Sequence, residues 1–315
     1  MRIGVDAMGG DFAPEECVRA TVAEAQREDC QDQFFIFGEE SLMSLYAADL
    51  EHHKIQVVPT GESIGMGEHA TKAVASKKES SINVGMHFLA TDKIDAFLSA
   101  GNTGAMMVSA LYNVKTIDGI ERPALSSVLP KEDGTTGVLL DVGANSDLKP
   151  ETLAKFAVLG SEFAKAVYKI SNPKVGLVNI GEEEEKGNIF TKAAFPFLKQ
   201  QKGINFIGNV EGRHLFLDGV DVAVCDGFTG NVIVKTCEGF FYNLLKRGVQ
   251  DDFLNKFNFE HYGGTPILGI KKPVIIGHGI SKEKTFRNMI KLAKSVVDSN
   301  LISKIEQSFS QTTSK

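Results

Sequence analysis

Tryptophan is absent from this 315-residue chain and tyrosine is scarce at 5, so phenylalanine, at 21, carries most of the aromatic content. Cysteine is rare too. Cys17, Cys30, Cys225 and Cys237 form no Cys-x-x-Cys pair and lack the density of a secreted disulfide scaffold, so reduced thiols in a cytoplasmic protein are the expectation. No apolar run approaches the ~20 residues that span a bilayer. Nor does a charged leader with an apolar core precede Met1-Arg2-Ile3-Gly4-Val5-Asp6, so a soluble chain is expected. Positive charge is not in excess: the formal net charge is −6, which argues against a nucleic-acid partner.

Several chemical signatures are missing as well. There is no Gly-x-x-x-x-Gly-Lys-Ser/Thr, no Gly-x-Ser-x-Gly and no His/Cys cluster with zinc-ligand spacing. A P-loop nucleotidase, a hydrolase nucleophile elbow and a structural zinc site are thereby disfavoured, and no metal is expected. Gly65-Met66-Gly67-Glu68-His69-Ala70 fits Gly-x-Gly-x-x-Ala, but Pro59-Thr60-Gly61-Glu62 separates it from the strand before it. No acidic residue closes a strand about twenty positions on, so the dinucleotide reading fails. The run Glu182-Glu183-Glu184-Glu185 reads as an acidic helix approach that serves the dipole and solvation.

What is present is regular alternation. At 43% hydrophobic content the chain can bury a large core. Strand-like runs are read at 2–5, 34–38, 55–58, 95–99, 124–129, 136–141, 174–180, 204–208, 221–225 and 273–276. Helices are read after Pro14, Ser41, Glu68, Ser80, Thr103, Pro150, Gly187, Thr229 and Ser281. The pattern predicts a mostly parallel or mixed sheet covered by helices. Lys131-Glu132-Asp133-Gly134 predicts a hairpin in the middle, hence two lobes in one continuous domain, 1–302. A polar, fraying tail is expected over 303–315.

Twice an apolar run stops at a Gly-x-Thr-Gly turn before a helix, at Gly101-Asn102-Thr103-Gly104 and at Gly227-Phe228-Thr229-Gly230. Unpaired N–H groups and the positive end of the helix dipole suit such a turn to phosphate, and two of them suggest a cleft that handles an oxyanion. Other strand ends collect small residues, amides and ionisable groups: Asp6–Asp11, Asp141–Asn145, Asn179–Glu182, Gly208–Arg213 and Gly277–Gly279.

Longer strings around these turns resemble the PlsX-type phosphate acyltransferases. They are Val5-Asp6-Ala7-Met8-Gly9-Gly10-Asp11, Ser80-Ser81, Ser99-Ala100-Gly101-Asn102-Thr103-Gly104-Ala105, Leu140-Asp141-Val142-Gly143-Ala144-Asn145, Asn209-Val210-Glu211-Gly212-Arg213, Cys225-Asp226-Gly227-Phe228-Thr229-Gly230-Asn231 and Tyr262-Gly263-Gly264. The resemblance runs in order from residue 1 to about 298. It implies a three-layer α/β/α fold of the isocitrate/isopropylmalate dehydrogenase-like class with no nicotinamide cofactor. It implies transfer of an acyl group from acyl carrier protein to inorganic phosphate, giving acyl phosphate for phospholipid synthesis. It also implies a homodimer, with peripheral contact at the inner face of the membrane and a glycerol-3-phosphate acyltransferase downstream. Two departures stand out: the stretch from Cys237 to Tyr262 is shorter than in many relatives, and Ile280 stands where relatives carry a small residue.

Phosphate would itself be the nucleophile, so no covalent enzyme intermediate is needed. The expected phosphate seat is Gly101, Asn102, Thr103, Gly104, Gly227, Thr229 and Gly230, with Asn231 as an oxyanion donor. Lys186, Lys235, Arg213 and His278 are the candidate cations, and His278, in a turn after a strand, suits a general acid. Asp6, Asp141, Asn145 and Asp226 read as orienting groups alongside Arg213, since carboxylates repel phosphate, and Cys225 reads as core. A carrier protein would be acidic, and Lys282, Lys284, Arg287 and Lys291 offer it a basic face with Glu283 opposing. A metal- and NAD-dependent decarboxylating dehydrogenase and a non-catalytic carrier-protein or membrane-binding scaffold are the competing readings.

Overall fold

The structure, a computed structural model, describes residues 1–46 and 50–313. In chain order its strands are β1 (Arg2–Asp6), β2 (Gln33–Gly38), β3 (Ile55–Pro59), β4 (Ala96–Ser99), β5 (Ala124–Pro130), β6 (Thr136–Leu140), β7 (Lys174–Asn179), β8 (Asn205–Glu211), β9 (Val222–Val224), β10 (Gly264–Leu268) and β11 (Val274–Gly277). Contacts divide the chain into two compact units. One comprises Met1–Thr116 with Phe259–Asp298, the other Ile117–Asn258 with the chain from Ser299. Each unit takes two separate segments of chain, so no linker composition marks the division.

In the first unit the strands lie in the order β3-β2-β1-β4-β11-β10. All pair in parallel except β10, which is antiparallel to β11. Parallel strands covered on both faces read as continuous apolar runs, and all four residues of β4 are buried. Phe37 sits at the centre of this core, edge-on to Phe97 at 5.7 Å and to Phe88 at 5.1 Å. Helix Glu15–Ala25 packs on helix Glu283–Asp298, and helices Ala70–Ser76 and Ser81–Ala90 pack on Thr103–Asn113. Helix Glu283–Asp298 owes its place to a buried stripe of Thr285, Phe286, Met289, Ile290, Ala293 and Val296, spaced for one face.

In the second unit the order is β5-β6-β9-β7-β8. β5 and β6 form the expected hairpin, closed by the Gly134 N–H on the Lys131 carbonyl at 3.1 Å; the remaining pairs are parallel. Helix Pro150–Ala166, opened by its proline, is buried along most of its length against β6, β9 and helix Ile189–Gln200.

Three readings of the sequence change. The stretch from 303 is not a frayed tail: helix Leu301–Thr313 buries Leu301 and Ile305 one turn apart, and packs on helix Pro150–Ala166, while 314–315 lie outside the described residues. β10 was concealed by its composition, since glycine and Pro266 are poor strand signals and fit this strand only beside its single antiparallel partner β11 within the unit. The helix after Ser41 is one turn, Glu40–Met43, followed by a 3-10 turn at Ser44–Tyr46; positions 47–49 lie outside the described residues.

Candidate functional site

Because β1, β4 and β11 are adjacent and parallel, their carboxyl ends bring Asp6, Ser99 and His278 to one edge of the first unit. Asp6 is buried. Ser99 Oγ donates to Asp6 Oδ2 at 2.6 Å, and the same oxygen accepts the Gly101 N–H at 2.9 Å; the Met8 N–H donates to Asp6 Oδ1 at 2.9 Å. Burial pushes the Asp6 carboxyl above its usual range, against the pull of hydrogen bonds from Ser99, Ser81 and the Met8 and Gly9 N–H groups. Gly9 lies flat on this cluster: a Cβ there would stand 2.5 Å from the Gly101 nitrogen. Asp6 thus shapes the turn from below, as an orienting group.

Asn102 has a different role from the one expected. It caps helix Thr103–Asn113, with Oδ1 accepting the Ala105 N–H at 3.0 Å. Its Nδ2 donates to the carbonyls of Gly65, Met66 and Glu68 at 3.2, 3.0 and 2.9 Å. Both amide hydrogens are therefore engaged by the 65–68 loop, and Asn102 is a clamp rather than a side-chain donor to phosphate. It also explains the glycine-rich string there, which is a tied loop and not a dinucleotide turn. The N–H groups of Thr103 and Gly104 have no partner among the described residues, and the Thr103 side chain is exposed. A neutral cap leaves the positive end of this helix uncompensated, which suits an anion.

His278 follows β11, half-buried, its ring 4.9 Å from that of Phe259. The Ile280 N–H points at its Nδ1 at 3.4 Å, and its carbonyl accepts the Ser281 N–H at 2.9 Å. The next carbonyl, Gly279, accepts the Asp11 N–H at 2.8 Å and so ties the β1 and β11 loops together.

In the second unit Asp141 Oδ1 accepts the Leu125, Gly143 and Ala144 N–H groups, and Oδ2 accepts the N–H and Nδ2 of Asn145 at 2.7 and 2.8 Å. Burial raises this carboxyl, opposed by those donors. Asn145 also donates to the Pro123 carbonyl at 2.8 Å. Both residues hold backbone groups around the end of β6.

The second turn carries an acidic cap, which leaves only the Phe228 N–H of its helix start without a partner among the described residues. Asp226 caps its helix, accepting the Thr229 N–H at 2.9 Å and the Thr229 hydroxyl at 2.8 Å. The Gly227 N–H donates to the Asn145 carbonyl at 2.7 Å and that of Gly230 to the Asp226 carbonyl at 3.0 Å. A Cβ on Gly230 would fall 1.9 Å from the Asp141 carbonyl oxygen. Gly227, Thr229 and Gly230 are thus explained by packing and an anionic cap, and that cap repels phosphate. Cys225 is core: its thiol faces the Asp141 carbonyl at 3.6 Å, and burial with Asp226 and Asp141 nearby keeps it protonated.

The remaining candidates of this unit are surface groups. Asn231 Nδ2 donates to the Val142 carbonyl at 3.2 Å, Lys235 pairs with Glu238 at 2.8 Å, and Lys186 is exposed at the end of a loop that Asn179 and Asn209 hold through backbone carbonyls. Arg213 pairs with Glu211. Glu182, Glu211 and His214 place one ligating atom each within 4.8 Å of one another, with Arg213 already supplying positive charge to Glu211.

The basic face on helix Glu283–Asp298 is smaller than its sequence suggests. Arg287 donates to Glu24 at 2.7 Å and Lys294 pairs with Asp32, so Glu283 is not alone in opposing it. Lys282 lies over the Phe12 ring at 5.2 Å; Lys284 and Lys291 are exposed. Ser99 escaped the sequence reading, though its place at a strand end two residues before Gly101 is the signal that could have found it.

A family model described as fatty acid synthesis protein matches residues 1–304. A phosphate acyltransferase from Thermoanaerobacterium thermosaccharolyticum is 42% identical over 326 residues, covering 98% of this chain and 96% of that protein. Among solved structures, a phosphotransacetylase from Streptococcus pyogenes aligns with a TM-score of 0.66 at 18% identity over 94% of each chain. A 4-hydroxythreonine-4-phosphate dehydrogenase from Klebsiella pneumoniae aligns at 0.57 and 14% identity, over 94% of this chain and 97% of that one. At such identities the likeness is one of fold, and it places the chain in the isocitrate/isopropylmalate dehydrogenase-like class.

Proposed function

The chain belongs to the phosphate acyltransferases of the fatty acid synthesis protein family, and from that premise we propose that it moves a fatty acyl group from acyl carrier protein to inorganic phosphate. A phosphate oxygen attacks the thioester carbonyl carbon, the carbon–sulfur bond breaks, and acyl phosphate leaves with free carrier thiol. The observation that carries the phosphate half is the Gly101–Gly104 turn: a helix start with a neutral cap and unpartnered N–H groups at Thr103 and Gly104.

His278 is the general acid of this reading, delivering a proton to the departing thiolate from the end of β11. Asp6 and Ser99 hold the turn in shape. Carrier protein, being acidic, is assigned to the exposed lysines of helix Glu283–Asp298. A homodimer fits the exposed Phe240 and Leu245 on helix Gly227–Lys246. No helix among the described residues is long and apolar enough to cross a membrane, so any bilayer contact belongs to a surface, with a glycerol-3-phosphate acyltransferase as consumer of the product.

Incubation with long-chain acyl carrier protein, with and without phosphate, tests the reading. Phosphate-dependent release of carrier thiol is the expected result. Reduction of NAD with a hydroxy acid, or carrier binding without turnover, would overturn it.

A further inference from the structure

Three loops of the first unit border the Gly101–Gly104 turn, and each exposes one apolar side chain: Phe12 is 42% exposed, Met66 45% and Ile280 39%. These loops are fastened to one another. The Asp11 N–H reaches the Gly279 carbonyl, Asn102 grips the Gly65, Met66 and Glu68 carbonyls, and the Met66 methyl lies 2.8 Å from where a Cβ on Gly279 would stand. A single exposed methionine on a surface is ordinary. This one lies between Gly65 and Gly67, on a loop whose carbonyls take both hydrogens of a buried amide, although water would satisfy them equally well. Capping the helix needs only the Asn102 oxygen. The amide nitrogen is therefore fixing where the Met66 loop stands relative to the turn.

The reaction makes that position consequential. For a phosphate oxygen to attack, the thioester carbonyl carbon must come within about 3–3.5 Å of it. The carbons next to the carbonyl then pass whatever side chains border the phosphate seat. We propose that Met66, flanked by Ile280 and Phe12, is the specificity-determining surface of this site, touching the first carbons of the acyl chain beside the reacting carbonyl. The proposal rests on the reading of the turn as the phosphate seat. A methionine suits the task because its unbranched, polarisable side chain follows a straight alkyl chain closely, and withdrawing one methylene from water is worth about fourfold in affinity. Branches on those carbons would collide with the Met66 loop.

The test compares acyl-carrier thioesters of equal length, straight or methyl-branched at the second or third carbon, by phosphate-dependent thiol release. Met66→Ala should raise the branched-to-straight ratio of kcat/KM about tenfold, leaving the KM for phosphate in place. Ile280→Ala, at an exposed position, should shift it in the same direction and stands in if the first variant folds poorly. An unchanged ratio in both variants, with wild-type transfer intact, overturns the specificity role while leaving the transferase reading standing. Equal loss on both donors with a raised KM for phosphate also overturns it, reducing Met66 to support for the turn. A wild-type protein without phosphate-dependent thiol release removes the reading itself, and this proposal with it.

Discussion

The Ser99 hydroxyl donates a hydrogen bond to the buried Asp6 side chain at 2.6 Å and accepts the Gly101 N–H on the same oxygen at 2.9 Å. One side chain thus links the end of β1 to the first residue of the phosphate turn. Ser99→Ala leaves Asp6 Oδ2 without this donor and the Gly101 N–H without an acceptor, in a buried cluster against which Gly9 packs closely. The expected cost is about 1–3 kcal/mol of stability, read as a drop in Tm. In kinetics the KM for phosphate should rise about tenfold while the KM for the acyl donor holds. A merely structural serine would lower Tm without that split.

The two turns make opposite predictions about one charge. Asn102→Asp keeps an oxygen to cap the helix but puts a carboxylate where phosphate is to bind and weakens the clamp on 65–68. The KM for phosphate should rise by ten- to a hundredfold, the range of one or two pairs of opposed interactions. Asp226→Asn keeps the cap in the second turn and removes its charge. If that helix start is not a phosphate seat, as its acidic cap on Thr229 argues, phosphate kinetics stay within about twofold of wild type. Similar responses at both positions would return the second turn to the phosphate seat.

The alternation of apolar runs and helix starts was legible because strand and helix periods leave their mark on each segment separately. The same local view could not separate the two turns. Gly-Asn-Thr-Gly and Gly-Phe-Thr-Gly look alike until it is known that Asn102 caps one helix and Asp226 the other, and the contacts that occupy the rest of each turn come from far along the chain: Asn102 reaches back 34 to 37 positions, and Gly227 donates to Asn145. Arg287 was misjudged for the same reason, since Glu24 meets it from 263 positions away. β10 was hidden because its two features, glycine and proline, speak against a strand locally and are tolerated only by its tertiary place.

Acid should loosen the Met66 loop before it unfolds the chain. Glu68 Oε1 accepts Lys77 Nζ at 2.7 Å and the Gly65 N–H at 2.7 Å, and these hold its carboxyl below the usual range. A depressed carboxyl contributes stability above its unfolded value, near 4.3, and loses it as pH falls through the lower folded value. Exchange of the Gly65 amide hydrogen, corrected for its intrinsic rate, should therefore accelerate below about pH 4. Glu68→Gln should exchange quickly at neutral pH and show no such acid step. A Gly65 amide that stays protected through the acid range in wild type contradicts the assignment.

Of the basic residues on helix Glu283–Asp298, Lys284 and Lys291 are the pair to reverse for docking. Seven residues apart, they lie on one helix face, both exposed, whereas Arg287 is engaged with Glu24. Lys284→Glu with Lys291→Glu should raise the KM for acyl carrier protein about tenfold at low salt, with kcat and the KM for phosphate unchanged. The difference should shrink as ionic strength rises past the physiological value, where charges that steer from the surface are already screened within about 8 Å. Arg287→Glu should behave otherwise, opposing a buried Glu24 with a like charge and lowering Tm. Reversal of Lys284 and Lys291 with no change in the carrier KM at low salt moves the docking surface off this helix and leaves the phosphate chemistry of the first turn where it is.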